Sequence, residues 1–218
     1  MSQILEKWEN IVVEAIQDYL KENRVFDMEK IIPHLIYKFN KSKKIKINNE
    51  GIQKILLSLV KKSIIVEGTT FTKKDVLMNR KRKKIYDYIK ENPGKYVNKI
   101  AKELKISNIV VFYHLDILVK FNFIKKTIID NHVVYFDSNI DLRDINKLYF
   151  TSKEKSKRII NYLKINNCGI PRTKLAIDLK IHYSTLRKYI KPLEEFNIIS
   201  KEKRSNKILY FLEENSIM

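Results

Sequence analysis

Cysteine is nearly absent, with Cys168 the single one in 218 residues. One thiol closes no disulfide within the chain and builds no cysteine-based zinc site. It fits a reducing, intracellular setting. Glycine is almost as scarce, at four residues: Gly51, Gly68, Gly94 and Gly169. They stand too far apart for a glycine-rich phosphate loop or a dinucleotide fingerprint. The four histidines, His34, His114, His132 and His182, form no HExxH pair and no Cys/His cluster. Glu194 and Glu195 are adjacent on a helical stretch, so they point in different directions. No Ser-His-Asp order carries its local signatures. These absences speak against an enzyme, and no metal or cofactor is expected. No apolar run approaches membrane-spanning length. Met1 to Asn10 holds Glu6, Lys7 and Glu9 where a signal peptide would place a basic segment and then an apolar one. The expectation is therefore a cytoplasmic protein with no membrane partner.

Negative charge is also in deficit. Asp and Glu number 25 against 44 Lys and Arg, a formal net charge of +19. Such an excess attracts polyanions: DNA, RNA or an acidic membrane surface. A Lys-, Ile- and Asn-rich coding bias raises lysine too, but it leaves acidic residues available to balance the charge. Apolar residues make up 44% of the chain, enough to bury cores. The length suits two or three domains of modest size.

The strongest signal is internal. A shift of 75 residues lays Gly94–Phe136 over Gly169–Phe211 without a gap. KIAKELKI (Lys99–Ile106) falls over KLAIDLKI (Lys174–Ile181), and LVKFNFIKK (Leu118–Lys126) over LEEFNIISK (Leu193–Lys201). NHVVYF (Asn131–Phe136) falls over NKILYF (Asn206–Phe211). Each copy reads as three helices and a hairpin. In the first of these copies Ile85, Tyr88 and Ile89 recur at helical spacing, and Pro93-Gly94 stops that helix. Ile100, Ala101 and Leu104 make a short second helix. Ser107 is placed as the N-cap of a third, whose inner stripe is Val111, Leu115 and Leu118. Two β-rich runs then flank Asp130-Asn131, a hairpin-turn pair. The other copy repeats this with Ile159, Ile160 and Leu163, then Leu175, Ala176 and Leu179, then Leu186, Ile190 and Leu193. Its strands flank a turn at Arg204–Lys207. The first 78 residues are a looser version, with helices expected over Ile11–Leu20, Met28–Phe39 and Asn49–Lys62 and a short hairpin around Gly68. Leu142, Ile145 and Leu148 predict a helical connector. The fold class expected is mainly α with small β-hairpins (α+β). The division expected is 1–78, 79–137, a connector over 138–151, and 152–218.

Helix, helix, turn, helix and two-stranded wing is the winged helix-turn-helix plan. Glu91–Lys126 resembles the MarR/ArsR-like winged-helix transcription regulators common in archaea. Their pattern LA..L.IS..TV.YHL..L...G.I is met here by Ile100-Ala101, Leu104, Ile106-Ser107, Val110-Val111, Tyr113-His114-Leu115, Leu118 and Ile124. Two departures from it matter. Asn122 and Asn197 stand where a glycine is usual, and Asn tolerates a left-handed turn. Val110, flanked by Ile109 and Phe112, stands where a Thr is usual, which leaves that helix unusually apolar outside. The resemblance implies three tandem winged-helix domains that bind double-stranded DNA and regulate transcription, as monomer or homodimer. It extends to contact with basal transcription factors and a nucleoid-associated location. A narrower resemblance is to methanogen regulators that switch on the archaellum genes. A second reading is a winged-helix scaffold for protein contacts in transcription or membrane-remodelling machinery.

A helix that reads the major groove needs donors for base edges and phosphates. In the last domain these are Tyr183, Ser184, Arg187, Lys188 and Lys191. Arg187 suits guanine, while Lys188 and Lys191 suit phosphates. In the middle domain Ser107, Asn108 and Tyr113 face outward, Asn108 with the option of adenine. Ile109 and Phe112 there serve either thymine methyls or a docked partner. His114 sits where a ring supports the helix or meets a phosphate. The wings add Lys125, Lys126 and His132, then Arg204 and Lys207. Arg80 and Arg82, within the run Arg80–Lys84, and Lys41, Lys43, Lys44 and Lys46 extend the basic surface. Trp8, Val12 and Ile16, with Ile4 and Leu5, give the first helix an apolar stripe, read as core.

Overall fold

Apolar residues spaced three and four apart dictate most of the helices, and their burial joins them into cores. The computed structural model describes residues 2–23, 25–41, 47–204 and 207–213, with backbone alone for 2–5 and 23. Contacts divide it into two units. One takes 1–91, 95–128 and 132–138; the other takes 92–94, 129–131 and 139–218. The chain is mixed α+β: mostly helix, with small antiparallel sheets.

The first unit opens with α1 (Ser2–Asn23), α2 (Met28–Lys41) and α3 (Asn49–Lys61). Val12 and Ile16 meet Ile31, Leu35 and Phe39 of α2 and Ile52, Leu56 and Leu59 of α3 in one cluster. Trp8 packs against it, so the α1 stripe is core; the side chains of Ile4 and Leu5 lie outside the described residues. Asn48 caps α3, its Oδ1 accepting from the Gly51 N–H at 2.8 Å. The Glu9 carboxylate, buried beside α3, accepts from Lys62 Nζ at 2.6 and 2.8 Å and from Ser58 Oγ at 2.8 Å. These bonds, Lys62 foremost, hold its pKa below the usual glutamate value.

The hairpin expected around Gly68 does not form. Val66–Thr69 closes a turn, and the backbone groups a hairpin would pair are spent on the α1–α2 loop. Gly68 N–H donates to the Phe26 carbonyl at 2.9 Å, and Phe26 N–H to Thr69 at 2.7 Å. A single bond from Lys73 N–H to Ile64, at 2.8 Å, closes the segment. A short helix α4 (Lys73–Val76) follows, started by Asp75, whose carboxylate accepts from the Thr72 N–H and hydroxyl.

The same unit continues with α5 (Arg80–Glu91), α6 (Val97–Leu104), α7 (Asn108–Lys120), β1 (Ile124–Ile129) and β2 (His132–Asp137). Ile85, Ile89, Ile100, Ala101, Val111, Leu115 and Leu118 are buried together, as the periodicity predicts. Val66, Phe71, Val76 and Leu77 belong to this cluster, so α4 and the turn before it seal the second core. Asp130 and Asn131 both hold positive φ, +52° and +60°, as a two-residue hairpin turn demands.

The second unit carries α8 (Ile145–Ser152), α9 (Glu154–Ile165), β3 (Ile170–Pro171), α10 (Arg172–Asp178), α11 (Tyr183–Glu195), β4 (Ile199–Arg204) and β5 (Lys207–Leu212). Its sheet runs β3-β5-β4, with Tyr210 opposite Ile170 on one side and Lys201 on the other. The residues between β4 and β5, 205–206, lie outside the described residues. The connector helix starts later than predicted. Leu142 is 74% exposed, and α8 buries Ile145 and Tyr149 instead.

Positions 75 residues apart share backbone devices. Lys105 and Lys180 turn left-handed, with φ +55° and +51°, ahead of α7 and α11. Asn122 and Asn197 do so after those helices, with φ +54° and +52°, in line with the tolerance read for Asn there. In each case the next N–H, of Phe123 or Ile198, returns to the carbonyl of Leu118 or Leu193 at 2.9 Å. Ser63, at φ +52°, ends α3 in the same way. Among the described residues no helix is long and apolar enough to cross a membrane.

Candidate nucleic-acid interface

Burial of Leu186, Ile190 and Leu193 fixes which side of α11 faces out. Tyr183, Ser184, Arg187, Lys188 and Lys191 are all exposed. Together with Phe150 and Pro192 they line one surface cavity of about 540 Å³. His182 starts the helix: its Nδ1 lies 2.7 Å from Ser184 Oγ and accepts the Ser184 N–H at 3.4 Å. Arg172 lies over the Tyr183 ring at 4.4 Å, adding a cation to this end. Lys191 Nζ is 3.8 Å from Glu195, a loose exposed pair. In the adjoining hairpin, Lys207 is exposed. Arg204 is held by Glu202, 2.9 Å from Nε and 2.6 Å from Nη2, and sits 5.4 Å from the Phe211 ring centre. The second unit thus gathers seven of the expected residues on α11 and β4–β5. Sequence reading missed Phe150 and Arg172. Phe150 lies in the connector, where no base-reading pattern points to it. Arg172 opens a helix not expected to face a ligand.

The middle segment differs. Ser107, Asn108 and Tyr113 are exposed, and Ser107 stands at the N-cap position without a side-chain cap bond. Ile109 and Phe112 are 83% and 62% exposed. Asp116 pairs with Lys120 at 2.9 Å. Lys126 and Arg80 are exposed, Lys125 is half-buried, and His132 stacks on Tyr96 with ring centres 5.4 Å apart. His114 is buried, so its ring supports α7 and meets no phosphate. Loss of water, reinforced by the charges of Arg82 and Lys81, pushes its pKa below the usual histidine value.

Arg82 requires a correction. It was expected on the basic surface, but it is only 4% exposed. Its Nη1 donates to the Val76 carbonyl at 2.9 Å, and its guanidinium lies 4.8 Å from the Phe71 ring centre. Burial lowers its pKa. The signal was present: Arg82 shares a helical face with Ile85 and Ile89, three and seven residues on. Lys43, Lys44 and Lys46 lie outside the described residues. Among the described residues no group of three or more His, Cys, Asp or Glu could hold a metal ion.

The chain is 32% identical over 159 residues to an uncharacterized HTH-type transcriptional regulator of Methanocaldococcus jannaschii. That alignment covers 73% of this chain and 40% of the relative, so the chain spans well under half of the longer protein. No protein-family profile matches the chain.

Proposed function

We propose that the protein is a DNA-binding transcription regulator of the helix-turn-helix type, which reads duplex DNA with α11 and grips it with hairpin β4–β5. The observation that carries this is the outward display of Arg187, Lys188 and Lys191 beside Tyr183 and Ser184, all five exposed among the described residues. Arg187 is the base-edge donor, suited to guanine O6 and N7. Lys188, Lys191, Arg172 and Lys207 meet phosphates. The +19 net charge draws the duplex in, and the name of the Methanocaldococcus relative fits the reading. In this proposal the chain is a MarR/ArsR-like protein with three tandem winged-helix domains, over 1–78, 79–137 and 152–218 joined by the connector at 138–151. It acts at promoters in the archaeal cytoplasm, where it either blocks polymerase or helps basal factors assemble. Regulation of archaellum genes is the narrower form of the proposal, supported by composition and domain plan.

Selection of bound sequences from random duplex DNA with the full chain tests it. The expected result is an enriched motif bound more tightly than random sequence, with affinity falling as salt rises. Equally weak binding of selected and random duplexes at moderate salt would sink the proposal.

A further inference from the structure

The cavity along α11 has two kinds of wall. Arg187, Lys188 and Lys191 line it with positive charge, and among the described residues none of those lining it carries a carboxylate. Lys153 adds a further cation, its Nζ 4.5 Å from the centre of the Phe150 ring. Phe150 and Pro192 line the same cavity with apolar surface. Neither has a bond to offer a phosphate or a base edge, since a phenyl ring carries no donor and proline lacks a backbone N–H. Phe150 is only half-buried, held by Tyr149 and Phe196 with ring centres 5.4 and 5.9 Å away. The cations alone would suit any polyanion. The apolar wall narrows the choice. In the major groove every base pair presents polar atoms, and the one apolar group is the C5-methyl of thymine.

We infer that Phe150 and Pro192 receive the methyl group of a thymine in duplex DNA, close to the guanine that Arg187 reads. This rests on the DNA reading of α11 and adds Phe150 to it as a residue that sets sequence preference. Tyr183, Arg187 and Lys191 recur at four-residue spacing on α11, and Ser184, Lys188 and Pro192 form the neighbouring row. Pro192 stands five residues beyond Arg187. At about 1.5 Å per residue that is about 7.5 Å, or roughly two base-pair steps of about 3.4 Å. The thymine therefore belongs within about two base pairs of the guanine. An unpaired base stacked on Phe150 is a different occupant, and it needs a bare ring face. Lys153 already lies over that ring, so one face is taken. A methyl group needs only a small apolar contact, and the cations beside it meet the phosphates of the same duplex.

The test uses the full chain and the duplex it selects. Each thymine near the preferred guanine is replaced in turn by deoxyuridine, which keeps the base pairing and removes only the methyl group. Fluorescence anisotropy compares the paired duplexes. One replacement should weaken binding about fourfold, as expected for one buried methyl-sized group. In Phe150→Ala the thymine and uracil duplexes should bind alike, whereas Arg187→Ala should weaken both and keep their ratio. Circular dichroism confirms that the variants fold. Phe150→Leu, which keeps an apolar side chain against Phe196, replaces the alanine variant if that one unfolds, and should give an intermediate ratio. A selection that yields no motif removes the DNA reading of α11 and the thymine contact with it. A motif without thymine near the guanine, or one bound alike with thymine and uracil, overturns the thymine contact alone. So does a thymine preference that survives unchanged in the Phe150 variants, which would leave Phe150 a purely structural role. Tighter binding when that thymine is left unpaired would give the ring to base stacking and overturn it too.

Discussion

Alanine in place of Lys188 should change how DNA binding responds to salt without changing the fold. Lys188 is exposed on α11, on the side opposite the buried Leu186–Ile190 stripe, so truncating it removes charge and little packing. The stability change should stay within about 0.5 kcal/mol. Each phosphate contact contributes about −0.9 to the slope of log affinity against log salt. Losing one should flatten that slope by about 0.9, on selected and random duplexes alike. Lys191 should give less, because its ammonium already leans on Glu195 at 3.8 Å. Arg187→Ala should behave differently. Without the bidentate bonds to guanine, binding should weaken by about 1–3 kcal/mol, about 5- to 150-fold, at the selected site and little elsewhere. Fluorescence anisotropy with a selected and a scrambled duplex, over a series of salt concentrations, separates the two patterns. An unchanged slope in Lys188→Ala, with equal losses on both duplexes in Arg187→Ala, would refute the assignment of roles on α11.

Three further outcomes concern the scaffold. Leu186 is fully buried under α11, so Leu186→Ala should cost about 2–5 kcal/mol in urea unfolding followed in the second unit; a cost below about 1 kcal/mol would mean the site collapses or is not core. Gly68 and Gly169 share a left-handed φ, +73° and +74°, but a Cβ at Gly68 meets open space, whereas at Gly169 it would run into Cζ of the Phe211 ring. Gly68→Ala should cost about 1–2 kcal/mol, and Gly169→Ala about 1–3 kcal/mol more; equal costs would show that the Phe211 ring simply swings away. Neutral His114 is favoured in the fold, so the unfolded ring, with its ordinary pKa of 6.5, takes up a proton first as pH falls. Stability should hold above about pH 7 and drop as pH falls through 6.5, and His114→Phe should flatten that drop in the denaturant midpoint. An unaltered pH profile in the variant would contradict the burial argument.

The helices with strict apolar spacing were legible from the sequence, since burial of Ile85 and Ile89 or of Leu186 and Ile190 leaves no other face for the core. Asn122 and Asn197 were legible because few residue types tolerate a left-handed backbone. The segment around Gly68 was misread, because β-branched residues there suggested strands while the Gly68 N–H and the Thr69 carbonyl were claimed by Phe26 from another part of the chain. Such long-range bonds leave no local trace. The two-residue strand β3 is too short to show a period. Arg82 was misread because residue type outweighed position: in a basic run, one member shared the phase of the isoleucines. The outward set on α11 followed directly from the inward one. Phe150 did not, because it reaches that surface from a connector.

Phe71 stacks on Phe121 with ring centres 5.5 Å apart, at the far end of α7, and Val76 lies inside the same cluster. Two residues earlier in the chain, Thr69 is tied to Phe26 between α1 and α2. Packing therefore runs across position 78, and the segment before it helps cover the core of the domain proposed after it. A gene fragment starting at Asn79 would leave Phe121 bare and should yield insoluble protein, while one ending at Ser138 should express well. In calorimetry the same stretch should melt in one step. A disturbance at the α1–α2 loop would travel through Gly68, Thr69 and Phe71 to the base of α7.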